Sequence, residues 1–162
     1  MGEVKGIAFG TENEALGKYD KYVPPVIVSV SDELYSLKIV IATPRYGELE
    51  GDYADHWNIW YDATDMTETF EVVFENPILN CTRRMDYLGD PIRTIWNNCR
   101  DERGSHLVIV EKSDLLDRAL NMLANKVDSE DWLASVKHYC IIGSDEIIDV
   151  ITAVEPEIRN YF

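Results

Sequence analysis

Three histidines (His56, His106, His138), three cysteines (Cys81, Cys99, Cys140) and an excess of carboxylates are the residues of this chain that could do chemistry. Imidazole and thiolate together suggest a zinc-type site, which needs ligands at spacings that let four of them close on one ion. His138 and Cys140 stand two apart and would share one face of a strand, which is half of such a site. Nothing completes it, because no two cysteines form a C-x-x-C pair and no two histidines stand four apart on a helix. Asp62-Ala63-Thr64-Asp65 lacks the ligand order of a calcium-binding EF-hand loop. Ser105-His106 beside Gly104 places a hydroxyl next to a base, but a Ser/His dyad is assembled in space and not by adjacency. No G-x-S-x-G and no glycine-rich phosphate loop occurs. The motifs therefore predict no catalytic residue, no metal and no cofactor.

The carboxylates are the larger signal. Between Arg45 and Arg83 there is no Lys or Arg, while nine acids (Glu48, Glu50, Asp52, Asp55, Asp62, Asp65, Glu68, Glu71, Glu75) alternate with seven aromatics, among them Trp57, Trp60, Phe70 and Phe74. The formal net charge is −15. A chain so charged repels nucleic acid and anionic membranes and draws basic partners from a distance. The only basic island is Arg83-Arg84, Arg93, Arg100 and Arg103, and internal pairing is its expected use.

These acids need a scaffold. With 162 residues and 46% hydrophobic content, the chain is expected to fold as one globular domain, 1–162. No apolar run approaches the roughly 20 residues of a membrane span. The N-terminus lacks a signal-peptide layout, and an odd cysteine count fits a reducing compartment, so a cytoplasmic protein is expected. Strand patterns run over residues 4–9, 26–30, 35–43, 56–62, 70–75, 107–110 and 139–142, the clearest being Phe70, Val72 and Phe74 against Glu71, Val73 and Glu75. Asp90-Pro91 opens one predicted helix, and Ser113 or Asp114 caps a second with Leu115, Leu116, Ala119, Leu120 and Leu123 on its apolar face. A short third helix is expected around 131–136. The stripe Ile147, Ile148, Ile151 and Val154 predicts a last one, ended by Pro156.

Strands first and helices later predict an α+β fold, an antiparallel meander of four to six strands with three or four helices on one face. The expected core joins Leu37, Ile39, Ile41, Phe70, Val72 and Phe74 to Leu116, Leu120, Ile148 and Ile151. The functional expectation is a non-enzymatic acidic protein that neutralises a basic protein partner, foremost as an immunity protein for a nuclease-type toxin. Its contact residues would be Asp55, Trp60, Asp62, Asp65, Glu68 and Glu71, with Trp60 as anchor. The alternatives are a nucleic-acid-mimicking inhibitor of phage type and a small hydrolase or transferase built from scattered residues. A deep pocket containing His106 or His138 beside a carboxylate of shifted pKa would favour the hydrolase.

Overall fold

β-Branched alternation and short turns build most of this protein from antiparallel strands. The computed structural model describes residues 6–10, 25–44, 67–84, 106–143 and 146–161. Within them lie β1 (Gly6–Ala8), β2 (Val26–Glu33), β3 (Ser36–Pro44), β4 (Thr67–Glu75), β5 (Leu79–Arg84), β6 (Leu107–Val110), α1 (Asp114–Ala124), α2 (Glu130–Ser135), β7 (Lys137–Ile142), β8 (Glu146–Thr152) and β9 (Glu157–Asn160). Sheet I has the order β1-β6-β7-β8-β5 and sheet II the order β2-β3-β4-β9, and every pairing is antiparallel.

The α+β expectation is overturned. Among the described residues the protein is mostly strand, in two sheets, with only two short helices. The decisive element is β8. Its isoleucines have helical spacing, yet Ile147, Ile148, Val150, Ile151 and Thr152 are all buried. A strand covered on both faces carries apolar residues on both parities, and such a run can imitate a helical stripe. Its β-branched composition decides for the strand. Val154 lies beyond β8 and is exposed. Two further strands, β5 and β9, are recruited by pairing, β5 onto β8 and β9 onto β4. The helix expected from Asp90 and the strand expected over 56–62 fall outside the described residues.

The two sheets pack face to face. Leu37, Ile39, Ile41, Phe70, Val72 and Phe74 from sheet II meet Leu107, Tyr139, Ile141, Ile148 and Val150 from sheet I in one buried cluster. Tyr139 ties the layers, its ring edge-on to Phe9 at 5.3 Å and to Phe74 at 5.6 Å. Each such side chain contributes about 1.5–3 kcal/mol by leaving water. The predicted core is thus met at Ile148 but not at Ile151. Three residues apart on a strand, these two point to opposite faces. Ile151 joins Ala119 and Val136 in a second cluster, against which Leu116 and Leu120 of α1 pack. The sheets also approach closely at Gly143. A Cβ there would sit 2.8 Å from Ile27 Cδ1 and 3.0 Å from Glu146 O, so only glycine fits without movement.

Candidate functional site

The outer face of sheet I carries the site. Asp149 interrupts the apolar run of β8, and its residue is only 2% exposed. A carboxylate so buried must be paired, since desolvating it alone would neutralise it. Register supplies the partners. Asp149 stands opposite Cys140 on β7 and Cys81 on β5. His138 and Arg83 are each two residues from those positions, so they are its diagonal neighbours on the same face, within reach of long side chains.

Both partners close on it. Arg83 donates from Nε to Asp149 Oδ2 at 2.7 Å and from Nη2 to Oδ1 at 2.9 Å. His138 Nε2 lies 2.7 Å from Asp149 Oδ1. The other ring nitrogen, Nδ1, lies 2.8 Å from Ser113 Oγ. Ser113 is placed by the next strand pair. Val110 at the end of β6 stands opposite His138, and the chain then turns directly into α1, whose N-cap is Ser113. As cap, its Oγ accepts from Leu116 N–H at 2.9 Å.

The proton positions follow from chemistry. Burial pushes the Asp149 pKa up, but the hydrogen bond from His138 and the charge of Arg83 outweigh it and hold the carboxyl below its usual range. An ionised carboxylate only accepts, so Nε2 carries the proton that His138 shares with it. In the neutral ring Nδ1 is an acceptor and the Ser113 hydroxyl donates to it, whereas in the imidazolium both nitrogens donate and Ser113 Oγ accepts. The result is a continuous hydrogen-bonded chain from Ser113 through His138 to Asp149, anchored by Arg83. With the ring neutral, it is a hydroxyl polarised by a buried base that an ionised acid orients.

Expected site residues stand differently. His138 and Cys140 share one face of β7, but both ring nitrogens of His138 are engaged, so the pair does not form half a metal site. Among the described residues no three of His, Cys, Asp and Glu converge as metal ligands. His106 is buried, while Ser105 lies outside the described residues. Glu68 and Glu71 are not brought together. Glu68 stands opposite Thr43 on the parity of Phe70, whereas Glu71 faces outward opposite Val40 and lies 4.0 Å from Arg159. Asp55, Trp60, Asp62 and Asp65 fall outside the described residues. Arg83 pairs internally as expected, with Asp149. Asp149 belongs to no chemical motif. Its signal was present, a lone acid inside Ile147-Ile148-Asp149-Val150-Ile151, where burial demands a counter-charge.

No family model, no curated protein and no solved structure matches the chain. Among the described residues no helix is long and apolar enough to cross a membrane.

Proposed function

We propose that this protein captures and neutralises a basic protein, one whose cationic groove serves nucleic acid. The observation that carries the reading is the charge left after internal pairing. Lys38 closes on Glu33, Arg83 on Asp149, Lys137 on Glu155 and Arg159 on Glu157, so four basic side chains are spent inside the molecule. Asp114, Asp117, Glu130 and Asp131 stay exposed at the starts of the two helices, on a chain of net charge −15. Such a field steers a cationic partner and raises its association rate.

The edge of sheet II supplies a contact surface for that partner. Among the described residues the two sheets end on four strands, three of them short or bearing basic side chains. β1 has 3 residues, β9 has 4 and bears Glu157 and Arg159, and β5 bears Arg83 and Arg84. β2 is the longest of the four at 8 residues, shifts register between Ile27 and Ser29, and exposes Val28 and Val30, with Leu34 and Tyr35 exposed at the turn that follows. Asp32 and Glu33 at its end suit a basic extended segment and disfavour a second copy of this acidic chain.

The test is capture on the immobilised protein at low and at high salt, followed by association kinetics with the retained protein. A basic partner whose association slows steeply with salt is expected, and Val30→Lys should weaken it. Trp60→Ala should speed its dissociation without lowering thermal stability. Retention indifferent to both salt and partner charge would sink the reading.

A further inference from the structure

The Ser113–His138–Asp149 chain goes beyond binding. We infer that Ser113 is an activated nucleophile that accepts the acyl group of a neutral or cationic ester. Three observations carry this. The hydroxyl is 2.8 Å from a histidine nitrogen whose other side is held 2.7 Å from a buried carboxylate. That carboxylate is locked in turn by Arg83, so the base cannot swing away. Ser113 is half-buried, whereas His138 and Asp149 are buried, so Ser113 is the most exposed residue of the three.

The local electrostatics agree. Ser113 Oγ sits at the positive end of the 11-residue helix α1 and accepts Leu116 N–H, which eases loss of its proton. Among the exposed charges within five residues of it, Glu111, Asp114 and Asp117 outnumber Lys112 and Arg118, which disfavours anionic substrates.

The step balances without a co-reactant other than water. Ser113 Oγ forms a bond to the ester carbonyl carbon as its proton passes to His138 Nδ1 and the carbonyl π pair moves onto the carbonyl oxygen, and Asp149 holds the resulting imidazolium. The pair returns to re-form the carbonyl as the ester C–O bond breaks, and the departing alkoxide takes the proton from Nδ1 and leaves as alcohol. Water then attacks acyl-Ser113 in the same way, which releases the carboxylic acid and restores the Ser113 hydroxyl. Ser113 and His138 are the catalytic residues, and Asp149 is a positioning residue.

The molecule contains its own control. Ser129 caps α2 in the same manner, accepting from Trp132 N–H at 3.3 Å, and its residue is exposed. It has the cap without the histidine. The experiment treats the folded full chain with a neutral fluorophosphonate, which phosphonylates an activated serine and releases fluoride, and maps adducts by peptide mass spectrometry. Ser113 is expected to react on the order of 10²-fold faster than Ser129, the contribution of a positioned general base. Equal rates, or no adduct on Ser113, overturn the proposal. A folded His138→Gln should lose the advantage, and its persistence there also overturns the assignment. If that variant does not fold, the ratio in the unaltered chain still decides.

Discussion

The two sheets share one core and handle polarity in opposite ways. Sheet II keeps its charged groups at the rim and outer face, where Glu33 pairs with Lys38 and Glu157 with Arg159 in contact with water. Sheet I draws a full ionic chain into its covered face, where the side chains of Asp149 and His138 are 3% and 6% exposed. Val40 and Val73 on the outer face of sheet II are buried too, so the difference lies in where each sheet places its charges. Helix α1 lies over sheet I, so a charge there must be matched by a fixed partner. A charge in water can be matched by ions and solvent, and contributes little by its pairing. Rigid, buried polarity can position a proton, while exposed polarity can only steer.

The largest effects should come from breaking either interior. Asp149→Ala strands Arg83 and His138 and should lower unfolding free energy by about 3–5 kcal/mol at neutral pH. Phe70→Ala, which empties a site 1% exposed in sheet II, should cost a similar ~3–5 kcal/mol. Denaturant titrations at neutral pH measure both, and a loss below about 1 kcal/mol in either would mean that the burial is not realised.

Acid separates the two. The Asp149 carboxyl has a depressed pKa in the folded state, so its stabilisation is present above the unfolded value of about 3.9 and is lost as pH falls through the folded value. The gap between the unaltered chain and Asp149→Ala should therefore shrink below about pH 4, while the Phe70→Ala gap stays. Alkali probes the core between the sheets. Burial, and secondarily the charge of Glu155, pushes the Tyr139 phenol up to about 12. A raised phenol keeps its proton longer in the folded state, so its contribution should fall from about pH 10 upward and be gone beyond the folded value. Tyr139→Phe should remove that dependence, which unfolding midpoints across the alkaline range would reveal.

Smaller effects sharpen the comparison. Ser113→Ala should cost about 1–2 kcal/mol, because it removes a cap and leaves His138 Nδ1 without its hydroxyl partner, against about 0.5–1 for Ser129→Ala, which removes a cap only. Equal losses would mean that the Ser113–His138 hydrogen bond adds nothing. Glu33→Gln at the rim should change stability by less than about 1 kcal/mol, and less still in high salt.

Much of this was determined by local sequence. The β2–β3 hairpin, β4, β6 and both helices follow from alternation and capping, which act within a few residues, although β2 runs on to Glu33 and the hairpin turns at Leu34-Tyr35. Ser113 was legible as a cap and Arg83 as a cation destined for internal pairing. Tertiary structure decided the rest. Whether Ile147, Ile148 and Ile151 mark one helix face or two strand faces depends on what lies above and below them. For β8 that is the opposing sheet on one side and α1 on the other. β5 and β9 have almost no pattern of their own and become strands because a neighbour offers unpaired backbone groups. The same holds for the site. Ser113, His138 and Asp149 are 25 and 11 residues apart in successive hydrogen bonds, and Arg83 is 66 residues from Asp149. No local spacing encodes that meeting, because it is made by the diagonal register of three paired strands, a property of the assembled sheet and not of any one segment.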